Sequence, residues 1–189
     1  MPVLVIDSGH GGIDSGAVAT INGKQVMEKY VAWDYSQAIL KAAQSASLEC
    51  YVVPHTTETT QGGARLANRV AFSNSKNATH FLCIHLDYDD SVFATGVSTW
   101  WPSTTPESED YANRVLHTFA ATEGLPARGD YPDTSNHHGR LGVLHGHNTK
   151  KVVLVETGFV SNPKDVAAIY AAMGYTAKTF VAKVLAGEL

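Results

Sequence analysis

Three short, continuously apolar runs constrain the fold of this chain more than any other feature. They cover residues 3–7, 81–85 and 152–156, and each stops at a polar or charged side chain. Runs of this length that carry no alternation are typical of strands buried on both faces of a sheet. Between them lie helical patterns, at residues 28–46 and 107–123. Strands that alternate with helices predict an α/β fold of three layers, with a mostly parallel, twisted central sheet and helices on both faces.

The remaining segments predict shorter elements. Proline follows two further apolar stretches, which indicates strands at residues 50–53 and 96–101, and a short strand is expected at 141–144. We expect residues 59–74 to be polar and then helical, and residues 125–140 to form a long loop. Gly124 is the expected stop of the helix before that loop. Two short helices should close the chain, the first capped by Asn162 with Pro163 at its first position.

The length of the chain, its net charge and its N-terminal residues limit the classes of protein to which it could belong. A chain of 189 residues suits a single domain, 1–189, with no room for a second module. A net charge of −4 argues against the basic surface of a nucleic-acid-binding protein. No apolar stretch is long enough to insert into a membrane, and the N-terminus lacks the features of a signal peptide. We therefore expect synthesis in the cytoplasm.

Polar side chains stand at the ends of the predicted strands. His10, His85 and Glu156 each lie at or just past the carboxyl end of one strand, which is the edge where such sheets bind ligands. A carboxylate directly after Val-Val-Leu-Val is costly to bury without a partner. A zinc hydrolase typically uses a set of two histidines and one glutamate, and a further glutamate can move the proton. Each residue also has a plainer explanation, such as Glu28 as a favourable charge at a helix start.

The glycine-rich turn at residues 8–12 does not indicate a nucleotide site. Asp14 stands where a dinucleotide fingerprint needs glycine or alanine, and Ala17 stands where a P-loop needs lysine. We expect the glycines on both sides of His10 to let the backbone turn sharply, so that the imidazole points into a site.

The opening run Val5-Ile-Asp-Ser-Gly-His-Gly-Gly12 resembles that of the zinc-dependent N-acetylmuramoyl-L-alanine amidases of the amidase-3 type. In that family the histidine of this run, here His10, binds zinc, and a glutamate at the start of the first long helix, here Glu28, is the second ligand. The resemblance also implies that His85, in Cys83-Ile-His-Leu-Asp87, is the third ligand. Leu154-Val-Glu-Thr-Gly-Phe-Val-Ser-Asn162 is similar to the family's catalytic run, which makes Glu156 the implied base.

The resemblance implies one Zn2+ per chain and hydrolysis of the amide between N-acetylmuramic acid and L-alanine, with peptidoglycan as the partner. Asp87 replaces the family's usual asparagine, and His145 stands where an arginine is more usual. We predict that these two residues and Arg140 contact substrate. Arg65 and Arg69 are expected to be exposed helix charges.

Other functions remain open at this point. A wall-binding module without activity and a zinc peptidase or deacetylase are the alternatives. The predicted role is that of a phage or prophage endolysin that acts on the cell wall after release. The alternative role is that of a catalytic domain of a bacterial autolysin. The pattern leaves the oligomeric state undetermined.

Overall fold

The computed structural model describes residues 1–54, 63–136 and 139–189. Within these residues eight strands and four helices follow one another along the chain. In order they are β1 (Val3–Ser8), β2 (Val18–Ile21), β3 (Lys24–Met27), α1 (Glu28–Ser45), β4 (Glu49–Val52), α2 (Gly63–Ser75), β5 (His80–Asp87), β6 (Val97–Trp101), α3 (Ser108–Glu123), β7 (Ala127–Pro132), β8 (Val152–Phe159) and α4 (Pro163–Ala186). Single 3-10 turns lie at Asp133–Ser135 and Gly142–Leu144.

Six strands form the central sheet, in the order β4-β1-β5-β8-β6-β7. The first four are parallel to one another, β6 runs antiparallel to β8, and β7 is parallel to β6. The predicted class, a mostly parallel three-layer α/β fold, is therefore confirmed. β2 and β3 form a separate antiparallel hairpin that precedes α1.

The two faces of the sheet are covered unequally. Helices α1, α3 and α4 pack on one face and bury one continuous apolar cluster, which includes Ile6, Ile84, Val155, Phe119 and Phe180. On the other face, α2 and the 3-10 turn Gly142–Leu144 cover a smaller cluster over β1, β5 and part of β8. Because successive strand residues point to opposite faces, neighbouring residues of one strand belong to different layers.

Several boundaries agree with the sequence prediction. Helix α1 begins at Glu28, and α3 ends at Gly124, which adopts the left-handed conformation with φ of 68°. The Asn162 side chain caps α4 by accepting a hydrogen bond from the Lys164 amide at 2.9 Å. No helix in the described ranges is long and apolar enough to cross a membrane.

The structure differs from the predicted elements in three segments and adds one hairpin. Residues 127–132, expected as loop, form the edge strand β7, where Pro132 is tolerated at the last position because it interrupts no central ladder. Residues 142–144 form a 3-10 turn instead of a strand. The chain closes with one 24-residue helix, α4, instead of two short ones. The hairpin of β2 and β3 was not predicted.

Candidate active site

Two histidines and one glutamate from three different elements meet at the carboxyl edge of the sheet. His10 lies in the turn after β1, Glu28 begins α1, and His85 lies near the end of β5. Glu28 Oε2 is 3.0 Å from His10 Nε2, and Glu28 Oε1 is 2.8 Å from His85 Nδ1. One potential ligand atom of each residue lies within 4.8 Å of the others.

Backbone amides hold the Glu28 carboxylate in place. The Leu86 amide donates to Oε1 at 3.1 Å, and the Ala17 amide donates to Oε2 at 2.9 Å. Burial works to raise the pKa of Glu28, but hydrogen bonds and charges from His10 and His85 outweigh it, so the pKa is lowered. The carboxyl group is therefore held as an anion between two imidazoles, although it is almost fully buried.

The turn that presents His10 is strained and secured from α2. His10 adopts a φ of 62°, which is uncommon for a residue with a side chain. The Arg69 guanidinium donates to the carbonyl oxygens of Ser8 at 2.8 Å and His10 at 2.6 Å. It also pairs with Asp7 at 2.6 Å, and both partners are almost completely buried. Strain of this kind persists where surrounding contacts over-determine it.

A second arginine of α2 secures the other side of His10. Asp14 Oδ2 lies 3.0 Å from His10 Nδ1 and 2.9 Å from Arg65. Burial would lower the pKa of His10, but Glu28 and Asp14 outweigh it and raise that pKa. The expectation that Arg65 and Arg69 are exposed helix charges is wrong, since 6% and 2% of their surfaces are accessible. Their spacing of four, on a helix between two predicted strands, was the one signal that they share a face.

The expected turn at His10 also differs in detail. Gly11, with a φ of 120°, adopts a conformation that favours glycine, as expected, but His10 itself also takes a positive φ. Gly9 serves a close approach instead: a Cβ there would lie 2.5 Å from the His85 ring. A side chain at residue 9 would therefore displace His85.

Glu156 lies beside this cluster on the neighbouring strand. It is in register with His85 of β5 and with Ser98 of β6. Its Oε2 atom is buried and has no hydrogen-bond partner within the described part of the chain. Burial, reinforced by the charges of Glu28 and Asp87, raises the pKa of Glu156 well above its usual value. A buried carboxyl group with no partner is a recurrent feature of catalytic sites.

The three convergent side chains fit a zinc ion by their chemistry. Two imidazoles and one carboxylate form a ligand set of zinc hydrolases, and such sites keep an open position for water or substrate. The Asp14 carboxylate on the far nitrogen of His10 is the outer contact that commonly orients a ligating histidine. The sequence predicted the three residues, and the structure brings them together.

A groove of about 860 Å³ opens at this cluster. His10, Glu28, His85 and Glu156 all line it, and so does Asp87. Burial, with the charges of Glu28 and Asp89, raises the pKa of Asp87, although Arg128 opposes the shift. The groove therefore holds several acidic groups close together.

The other two residues predicted to contact substrate lie elsewhere. His145 lines a separate cavity between α2 and the turn Gly142–Leu144, where its Nε2 is 2.5 Å from the buried Asp133. Arg140 is exposed and is not among the described residues that line the groove. Their contact with substrate stays a prediction. His55, His137 and His138, which we expect to be surface or structural residues, lie outside the described ranges.

Sequence reasoning missed part of the groove. Arg128 and Tyr131 line it from β7, and Ser135 and Asn136 follow on the next turn. All four fall in the segment expected to be loop, where no periodicity indicated which side chains point inward. Trp100, on β6, is half-buried and lines the groove as well.

Residues 4–181 match the amidase-3 family, described as N-acetylmuramoyl-L-alanine amidase. The chain belongs to this family. The match covers all three convergent ligand candidates and Glu156, so the resemblance drawn from the opening and closing motifs is confirmed at the level of the family.

Individual relatives are identical to this chain at about a quarter of the aligned residues. It is 25% identical over 162 residues to the N-acetylmuramoyl-L-alanine amidase CwlM of Mycobacterium tuberculosis, covering 86% of this chain and 38% of that protein. It is 28% identical over 170 residues to the amidase LytC of Bacillus subtilis, covering 88% of this chain and 31% of that protein. The chain therefore spans about a third of the length of these two relatives.

A solved structure extends the likeness to three dimensions. The catalytic domain of CwlV, an N-acetylmuramoyl-L-alanine amidase from Bacillus (Paenibacillus) polymyxa var. colistinus, superposes with a TM-score of 0.79 at 26% identity. The alignment covers 97% of this chain and 96% of that domain. The central sheet and its flanking helices are thus those of an amidase catalytic domain.

Proposed function

We propose that this chain is a zinc-dependent hydrolase that cleaves the amide bond between N-acetylmuramic acid and L-alanine in peptidoglycan. One observation carries the proposal: His10, Glu28 and His85 converge next to the half-buried Glu156, whose Oε2 atom is buried without a hydrogen-bond partner in the described ranges. Membership of the amidase-3 family supports the choice of bond and substrate.

In this proposal His10, Glu28 and His85 would hold the ion. A bound zinc ion supplies a Lewis acid that polarises a carbonyl oxygen and lowers the pKa of water to about 7. Glu156, in register with His85, takes a proton from the attacking water and returns it to the leaving amine. Its raised pKa favours the second half of that exchange, because a carboxyl group with an ordinary pKa is a poor acid at neutral pH.

Metal content tests the first half of the proposal. Mass spectrometry of the purified protein should find about one zinc per chain (predicted from the ligand set). His85→Ala should lose the metal, whereas His117→Ala, a matched change at an exposed histidine of α3, should keep it. Equal metal content in both variants would remove His85 from the site.

Product analysis tests the second half and separates the alternatives. New N-terminal alanine amines released from isolated cell walls indicate an amidase, and released acetate indicates a deacetylase. Neither product, with retained binding to walls, indicates a binding module. Chelation should abolish the loss of turbidity of the wall suspension, and added zinc should restore it.

The route to the wall is a separate proposal. We propose a phage or prophage endolysin, with an autolysin domain as the alternative. Expression in a bacterial cytoplasm should be harmless alone and should lyse the cells when a hole-forming membrane protein is produced with it. Lysis without that protein would argue against the endolysin role.

A further inference from the structure

The groove continues beyond the ligand cluster onto a part of the sheet that α2 leaves uncovered. Its floor consists of side chains from one face of three neighbouring strands: Glu156 and Leu154 of β8, Ser98 and Trp100 of β6, and Tyr131 of β7. Trp100 is in register with Leu154 on one side and with Tyr131 on the other. The groove therefore leads from the ligand cluster at the strand ends to a pair of aromatic rings.

The two aromatic rings form a rigid wall, defined here by Trp100 and Tyr131. Their centroids are 5.2 Å apart at an interplanar angle of 41°. The Tyr131 hydroxyl donates to the Arg128 carbonyl at 2.8 Å. The Tyr131 ring lies directly over Gly129, where a Cβ would come within 2.5 Å of the hydroxyl and where φ is 144°. The hydrogen bond fixes the position of the ring, and the lack of a side chain at Gly129 leaves room for it there. Of the surface of Tyr131, 37% stays exposed.

The two ends of the groove differ in charge. The end near the strand termini carries Glu28, Asp87 and Glu156 as well as Arg128. Around the aromatic wall, the described lining residues are uncharged: Ser98, Ser135, Asn136, Leu141 and Leu154. A neutral ligand with an apolar face and several hydroxyl or amide groups matches this second end, because stacking and polar contacts are both available.

We propose that the wall of Trp100 and Tyr131 binds the pyranose ring of the glycan on the sugar side of the scissile amide. This assignment rests on the proposed function, in which the amide joins a neutral sugar to a peptide that carries carboxylates. The peptide on the other side of the amide would then lie at the end of the groove that contains Arg128. With strands about 4.8 Å apart and a rise of about 3.3 Å per residue, the Cα atoms of Trp100 and Tyr131 lie roughly 8 and 12 Å from that of Glu156. One sugar with its lactyl arm spans such a distance.

Binding of glycan without peptide tests the wall independently of catalysis. The probe is a tetrasaccharide of alternating N-acetylglucosamine and N-acetylmuramic acid, free of stem peptides and with its lactyl carboxyl groups capped as methylamides so that it is neutral, titrated by calorimetry. Tyr131→Leu should weaken its binding about 5- to 10-fold, as expected for the loss of one aromatic stacking contact. Tyr131→Phe should retain most of the affinity, because it keeps the ring. Tyr175→Leu, at an exposed tyrosine of α4, is the matched control and should bind as the unaltered protein does.

Kinetics with two substrates complete the test. One is a disaccharide that carries the stem peptide, and the other is the same peptide on lactate, without a sugar. Tyr131→Leu should lower kcat/KM for the sugar-bearing substrate about 5- to 10-fold more than for the lactyl peptide.

The outcomes separate the wall from the activity. Equal losses on both substrates, or no binding of the tetrasaccharide by the unaltered protein, would overturn the assignment of the wall. Glycan binding that depends on Tyr131, in a protein that cleaves neither substrate, would support the wall and refute the amidase function.

Discussion

The two faces of the central sheet differ in how completely helices cover them. On the face packed by α1, α3 and α4, residues such as Val155 and Phe119 are fully buried in one apolar cluster. On the other face, α2 stops short of β6 and β7, and the exposed floor becomes the groove. Val155 and Glu156 are adjacent in sequence yet belong to these two layers. A single alternating strand thus contributes both to stability and to the site.

Two glutamates, the buried Glu123 and the half-buried Glu156, also differ in the surroundings of their carboxyl groups. Glu123, at the end of α3, accepts hydrogen bonds on Oε1 from Tyr35 at 2.5 Å and from Thr157 at 2.7 Å. Both glutamates have one buried oxygen, Oε2, without a hydrogen-bond partner in the described part of the chain, but Glu156 lines the groove and Glu123 does not. The first carboxyl group joins α1, α3 and β8, whereas the second is left available for chemistry.

The largest expected effect is at Glu156. Glu156→Gln should lower the amidase rate about 10²- to 10⁴-fold, since it removes the proton carrier. The free energy of unfolding should stay the same or rise, because a neutral amide replaces a carboxyl group whose Oε2 atom is buried without a hydrogen-bond partner in the described part of the chain. Rates on isolated walls and urea denaturation provide the two measurements. Glu109→Gln, at an exposed position of α3, should change neither quantity. Full activity of Glu156→Gln would exclude the residue from the mechanism.

The groove face also contains a buried ion pair whose loss should be costly. Arg69→Met leaves Asp7 as an uncompensated buried charge, so we expect a loss of about 3–5 kcal/mol in the free energy of unfolding. The exposed pair of Arg114 and Asp110 is the matched control, and Arg114→Met should cost less than about 0.5 kcal/mol. Comparable losses in both variants would contradict the structural role of Arg69 at the His10 turn.

The same truncation on the two faces measures the difference in packing directly. Leu116→Ala, in the cluster under α3, should cost about 2–5 kcal/mol because it leaves a cavity. Leu141→Ala, at the half-buried rim of the groove, should cost less than about 1.5 kcal/mol, since solvent fills the space. Denaturant midpoints of the two variants provide the comparison. Equal costs would mean that the groove is closed in solution.

A further effect depends on pH and concerns Glu123. Burial raises the pKa of Glu123 from 4.5 to about 8, despite opposing hydrogen bonds from Tyr35 and Thr157. The protonated Glu123 carboxyl group makes its full contribution to the free energy of unfolding below pH 4.5, and this contribution is lost as the pH rises to about 8. Relative to Glu123→Gln, the unaltered protein should lose up to about 1.4 kcal/mol of stability per pH unit in this window. Urea denaturation at several pH values measures the slope, and a pH-independent difference would show that Glu123 is ionised in the fold.

Continuous apolar runs and the order of the motifs carried most of the prediction. The apolar runs predicted β1, β5 and β8, because only strands buried on both faces tolerate such composition. The ends of those runs, together with the family's motifs, indicated His10, Glu28, His85 and Glu156. The strands extend further than predicted, so His85 and Glu156 lie inside β5 and β8 instead of at their ends.

What the sequence alone determined about this protein is its set of layers and the identity of the chemical groups, because both follow from local patterns of apolar and polar residues. Only the tertiary structure decided which face of the sheet stays open, since that depends on where α2 packs. It also decided that Arg69 is buried, because its partner Asp7 lies 62 residues away in the sequence. The edge strand β7, with Gly, Asp and Pro, is stabilised by its pairing with β6 and carries little local signal of its own. The aromatic wall exists because that pairing places Tyr131 beside Trp100.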